Sequence, residues 1–288
     1  STIPTDGTLL VPGMAMNTSS SKHFINFGQK ALNTGGNADD NGYGDFDNAP
    51  PSGFLALCTA NMTALDFAPS AHFQATLYTG TADIQSINQS GNSTFQPDLL
   101  WINNRVGGAH GIFDSVREMT SVLIPGATNT VTTNTGITSF DSDGFTLAAA
   151  DGSPVPVNAS AGTYVAWQWR AGGAPTADNV ETSGTMTDNS VKTSYTPSGS
   201  PSLYPMKISA NTVAGFSIVQ IDGTGSNATF PHALTAAPEF MVAKHSATVE
   251  PWYCWHSGIA NTEYLRFDNN SGKQTLATAW NSTSPTAD

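Results

Sequence analysis

Two stretches of the sequence place the same residue types at nearly the same intervals. Repetition of this kind restricts the architectures open to a chain more than any local motif does. In the first stretch, Phe73 leads to Tyr78-Thr79-Gly80, then to Pro97-Asp98-Leu99-Leu100-Trp101-Ile102, then to Ile112-Phe113-Asp114-Ser115, with Leu123 eight residues beyond that serine. In the second, Phe216 leads to Ile221-Asp222-Gly223, then to Pro238-Glu239-Phe240-Met241-Val242-Ala243, then to Cys254-Trp255-His256-Ser257, with Leu265 again eight residues on. The matched positions are a glycine turn, a proline ahead of an acid and an apolar run, and an aromatic residue two places before serine. These are scaffold types, not reactive ones. A proline opening a strand sits where no ladder donor is needed, which predicts the edge of an antiparallel sheet.

Between these points apolar residues alternate with a period near two in short runs closed by Gly, Pro, Asn or Asp, as at Thr76 to Tyr78, Leu99 to Ile102 and Thr163 to Trp169. That pattern predicts strands. No stretch of about a dozen residues free of Gly and Pro carries apolar positions at helical spacing, so long helices are not expected. The expected fold class is all-β, with tandem antiparallel β-sandwich-like modules joined by a Gly/Ser/Thr-rich linker. Residues 1–66 are read as the end of one β module, with a closing strand within Val11 to Phe27 and a polar loop from Asn33 to Pro51. Residues 67–172 form the first repeat module, 173–208 the linker, and 209–288 a second, incomplete repeat module. Asp143-Gly144 predicts a tight hairpin within Phe140 to Leu147. Alternation along Tyr164 to Trp169 predicts that Val165, Trp167 and Trp169 face the core. The second copy has no counterpart of that last strand. Either the sequence is a piece of a longer chain, or a neighbouring subunit supplies the strand and covers the open sheet edge.

At 288 residues with 39% apolar content the chain is long enough to bury the cores of two or three β domains. Charged residues make up 11%, against roughly 25% in an ordinary soluble domain, with Thr, Ser, Asn and Gly in their place; this is the composition expected outside cells or in a virus particle. Ten basic residues against 22 acidic ones set a net charge of -12, which opposes binding to phosphate backbones and anionic lipid head groups. Nucleic acid is therefore not an expected partner, and no apolar run is long enough to span a bilayer as a helix. Cys58 and Cys254 lie far apart in sequence and predict two buried free thiols.

Candidate chemistry is sparse. The densest acidic cluster is Asp39-Asp40-Asn41-Gly42 with Asp45 and Asp47, where hard oxygen ligands can hold calcium, although a solvated Asx-rich loop accounts for the same residues. Asp141 and Asp143 are explained by turn chemistry. Asp114 and Glu118 are the nearest approach to a glycosidase carboxylate pair. Arg117 lies between them, however, and their counterparts His256 and Ala260 are not acids, so a salt bridge is expected instead. His245 and His256 flank Trp252-Tyr253-Cys254-Trp255 without zinc-ligand spacing. Trp101, Trp252, Trp255 and Trp280 are candidate platforms for stacking on sugar rings. No cofactor other than calcium is expected.

Three stretches resemble a known family, the repeated β modules of marine bacteriophage virion and tail-fibre proteins, which often follow a concanavalin-like SPRY domain. Phe24 to Gln29, Pro50 to Phe54 and Leu57 to Asn61 look like the end of the SPRY-like part. Pro97 to Arg105, Phe113 to Arg117, Phe140 to Leu147 and Tyr164 to Trp169 look like the core module, and Ala214 to Asp288 like its second copy. The resemblance implies a non-enzymatic virion component, a tail fibre or appendage protein active in assembly and host-surface attachment. It further implies a homo-oligomer, with a trimer favoured, in contact with other virion proteins and with host surface glycans. A secreted or cell-surface carbohydrate-binding module is the alternative, and an enzyme the third reading.

Overall fold

The alternating runs become strands in the computed structural model, which describes residues 35–62, 68–108, 110–149, 154–180, 197 and 201–287. The chain divides into two compact units, Ser1–Asp66 and Phe67–Asp288. In the described part of the first unit an isolated bridge joins Asn37 to Phe46, and a 3-10 turn spans Thr59–Asn61. The strand expected between Val11 and Phe27 lies outside the described residues.

The second unit is built from antiparallel sheets, and the all-β expectation holds. Its first part contains β1 (Phe73–Thr79), β2 (Gln85–Asn88), β3 (Leu99–Asn104), β4 (His110–Asp114), β5 (Ser121–Val122), β6 (Thr132–Thr133), β7 (Ile137–Asp141), β8 (Gly144–Leu147) and β9 (Thr163–Trp169). A sheet in the order β1-β9-β3-β4 faces one in the order β2-β8-β7, and β5 pairs with β6. Between the two main sheets lies a core of Ile87, Leu100, Ile102, Phe113, Val122, Ile137, Phe145, Leu147, Val155, Val157, Tyr164 and Ala166. The expected β7–β8 hairpin forms, but it turns through Ser142-Asp143 and not Asp143-Gly144: Asp141 lies opposite Gly144, which is the first residue of β8. Gly144 is required there: its φ is +152°, and a Cβ would collide with the carbonyl oxygen of Ile87 on the neighbouring strand.

The facing of β9 is the reverse of the sequence expectation. Tyr164, Ala166 and Gln168 are fully buried toward the sandwich core, while Val165, Trp167 and Trp169 lie half-buried on the other face. Three features make the inward set work. Tyr164 stacks on Tyr78 with ring centroids 5.0 Å apart. Ala166 leaves room for its neighbours. Gln168 is satisfied in the interior, donating to Thr76 Oγ1 at 2.8 Å and accepting from Gln89 Nε2 at 3.1 Å. The tryptophan face is occupied instead by aromatic packing: Trp167 meets Trp101 at 5.4 Å, and Trp169 meets Phe73 at 5.0 Å and Phe216 at 6.3 Å. Both faces of this central strand are covered, so apolarity alone does not distinguish them.

The remaining strands are β10 (Lys207–Asn211), β11 (Phe216–Gln220), β12 (Phe240–Lys244), β13 (Trp252–His256), β14 (Glu263–Arg266) and β15 (Gln274–Thr275), with β10 and β11 as a hairpin and a sheet in the order β12-β13-β14-β15. β10 starts inside the segment read as linker. The two repeated hairpins share one register. Leu99 opposes Asp114 and Trp101 opposes Ile112 in β3–β4, just as Phe240 opposes His256 and Val242 opposes Cys254 in β12–β13. Ser115 N donates to Asp98 O at 2.8 Å and Ser257 N to Glu239 O at 2.9 Å, and Ile112 bridges Leu123 as Cys254 pairs with Leu265. The copies differ on the other side. β3 is an interior strand with β9 beside it, so Pro97 does not mark an edge, whereas β12, which follows Pro238, is the edge strand of its sheet.

Candidate functional site

The acidic loop of the first unit is organised around Asp39. Its Oδ1 accepts from Asn41 N and Tyr43 N, both at 2.9 Å, and its Oδ2 from Ala56 N at 2.7 Å and Asn61 Nδ2 at 2.6 Å. Burial works against the charged carboxylate, and these donors outweigh it, holding the Asp39 carboxyl down at about 2. Asp40 Oδ2 accepts from Ser52 Oγ and Gly53 N, Asp45 Oδ1 from Gly36 N and Asp47 Oδ1 from Gly35 N, while Asn41 Nδ2 donates to Asn61 Oδ1. The aspartates among the calcium candidates, Asp39, Asp40, Asp45 and Asp47, therefore act as acceptors for the loop's own backbone, and Asn41 donates to Asn61. Among the described residues no three His, Cys, Asp or Glu side chains converge as a metal site would require.

The ionisable groups of the second unit are similarly engaged. Asp98 is buried at the start of β3, where its carboxylate accepts from Ser115 Oγ at 2.9 Å, Ala171 N at 2.8 Å and Gly173 N at 3.2 Å. It ties the exit of β9 to the β3–β4 hairpin, and burial pushes its carboxyl above the ordinary range despite those donors. Asp114 accepts from Val116 N and Arg117 N through Oδ1 and pairs with the Arg117 guanidinium through Oδ2 at 2.6 Å, the salt bridge the sequence predicted. Glu118 is exposed beyond it, at a φ of +79°. Asp141 accepts from Ser139 Oγ and Thr146 Oγ1, and Asp143 from Asn88 Nδ2. The Nδ1 atoms of His245 and His256 accept from backbone N–H groups two and three residues ahead, as local turn caps. Both cysteines are free; Cys254 is buried, with burial pushing its thiol up to about 11, and Cys58 is half-buried rather than buried.

The tryptophan platforms require a correction. Trp252 and Trp255 are only 3% and 5% exposed, so neither presents a ring face to a sugar. Trp252 is lodged against the first repeat: its Nε1 donates to Ala127 O at 2.9 Å, and it packs in a cluster with Ile112 and Leu123, bordered by Leu99, Trp101, Val131 and Phe267. Trp280 is half-buried, with Nε1 donating to Glu263 O at 3.1 Å, and Trp101 is half-buried between Trp167 and Phe267. Where these rings are held in packing, apolar side chains stand exposed on β12 instead: Phe240 is 51% and Val242 40% exposed. Residues 68–288 match the family described as a domain of unknown function (DUF7483). The chain belongs to this family. No curated protein and no solved structure matches it.

The DUF7483 region thus spans both repeats, and among the described residues they differ at the outer side of the shared hairpin, where β3 has β9 and β12 is an edge. The sequence pattern held no counterpart of β9 in the second copy, but it did not show which residues of β12 are exposed. At the position matching Asp98, Glu239 is exposed; the backbone donors that hold Asp98 follow β9, and the described residues place no such strand beside β12.

Proposed function

We propose that this DUF7483 protein is a non-enzymatic structural component that assembles with copies of itself, of the kind that builds the appendages of a virus particle and serves attachment to a host surface. The observation that supports this reading is what the buried acids do. Asp39, Asp98 and Asp114 each hold the chain's own backbone in place, which is scaffold work, whereas a catalytic site needs titratable groups converging on an open cleft. The exposed apolar residues of β12 fit a protein that works by contact with neighbours. Light scattering on the purified chain at tens of micromolar tests the reading. A native mass of at least twice 30.0 kDa is the expected result; a monomer at that concentration overturns it.

A further inference from the structure

The outer side of β12 is where the second repeat differs from the first among the described residues. In the first repeat β3 has β9 along its outer side, with Leu99 opposite Trp169, Trp101 opposite Trp167 and Asn103 opposite Val165. β12 matches β3 residue for residue against its hairpin partner, and among the described residues no strand lies on its outer side. The backbone phase carries over too. Glu239 O turns inward to Ser257 N as Asp98 O does to Ser115 N, so alternation points the amides and carbonyls of Phe240, Val242 and Lys244 outward.

We propose that the β12 edge pairs antiparallel with β12 of a second copy, so that the two sheets continue through one two-fold axis. The assignment rests on the self-assembling reading given above and adds which residues perform it. The occupant is chosen by the strand's own charge pattern. Glu239 stands at one end and Lys244 and His245 at the other, and Glu239 and His245 are exposed. Antiparallel apposition sets acid against base at both ends, whereas parallel apposition sets like against like. With Val242 on the axis, Phe240 lies opposite Lys244 of the other copy and Glu239 opposite its His245. The three outward-pointing residues then form hydrogen-bonded pairs, and the ladder reproduces that of β3 with β9. The half-exposed rings and methyls of Phe240 and Val242 are covered by the same step. An isologous contact of this kind is the commonest symmetry of soluble oligomers.

Two substitutions at the axis test this, each judged by native mass with circular dichroism as the control for folding. Val242→Lys places two ammonium groups face to face and is expected to halve the native mass with the strand content unchanged. Val242→Cys in a Cys58→Ser, Cys254→Ala background, which also removes the thiol that lies directly opposite Val242 within the hairpin, is expected to cross-link two chains under mild oxidation, since directly paired edge residues bring their Cα atoms within disulfide reach. Leu77→Cys in the same background, on the exposed β1, is expected not to. If the wild-type protein is multimeric but Val242→Lys keeps its mass and Val242→Cys does not link, the β12 pairing is overturned while the self-assembling reading stands. A monomeric wild-type protein overturns both.

Discussion

At the level of single residues, the comparison of Asp98 with Glu239 separates what the repeat needs from what its surroundings add. Both follow a proline, and both present a backbone carbonyl to a serine amide at the end of the hairpin. Only Asp98 has its carboxylate engaged, by Ser115 Oγ and by the amides of Ala171 and Gly173. Removing it strands buried donors, and an orphaned buried polar group costs about 1–3 kcal/mol. Asp98→Ala is therefore expected to lower stability by about 2–4 kcal/mol in chemical denaturation, since more than one donor loses its partner. Glu239→Ala is expected to stay within about 0.5 kcal/mol of the parent under conditions that keep the chain monomeric, as exposed surface changes do. Equal losses at both positions would show that the acid acts through the hairpin and not through the exit of β9.

At the level of elements, β9 shows how far alternation can be read and where it stops. Its existence, length and two-residue period follow from Tyr164 to Trp169, and so does the fact that the two faces differ; which face points inward does not. A buried Gln168 looks like a surface residue until Thr76 and Gln89 are placed beside it, and a row of Val165, Trp167 and Trp169 looks like a core until the second repeat is seen to cover part of it. The correspondence of the β3–β4 and β12–β13 hairpins, by contrast, is legible, because proline, aromatic and serine positions recur at nearly the same intervals in both copies, and the two hairpins share one register. The β10 strand was hidden, since its polar start at Lys207 continues the composition of the segment before it. The acidic loop was legible only as a cluster: nothing in the spacing of Asp39 shows that the amides of Tyr43 and Ala56 converge on it. The facing of β9 can be checked by overpacking. Ala166→Leu inserts bulk into a closed core and is expected to cost about 1–3 kcal/mol, whereas Val165→Leu on the half-buried face is expected to change stability by less than about 0.5 kcal/mol. The opposite ranking in thermal denaturation would restore the facing predicted from the sequence.

At the level of the whole molecule, the two repeats meet through equivalent faces. Ile112 and Leu123 of the first repeat correspond in register to Cys254 and Leu265 of the second. Trp252 shares the face of Cys254, because residues two apart on a strand point the same way. Trp252 carries the contact, packed on Ile112 and Leu123 with its indole N–H on Ala127 O, and Val131 N donates to Ser246 O alongside it at 2.8 Å. The first repeat has a closed core of its own between two sheets, while the sheet of the second buries one of its two enclosed tryptophans in this seam. Truncating Trp252 removes the seam's centre, and a buried Trp→Ala change costs about 3–5 kcal/mol. Because the first repeat keeps a closed core of its own and, among the described residues, the sheet of the second does not, Trp252→Ala is expected to split a single thermal transition into two, the lower one reporting Trp255 and Trp280 and the upper one the first repeat. If the variant melts in one step at a lower temperature, with coincident fluorescence and circular dichroism curves, the repeats fold as one cooperative body through contacts beyond Trp252, and the seam is broader than this cluster.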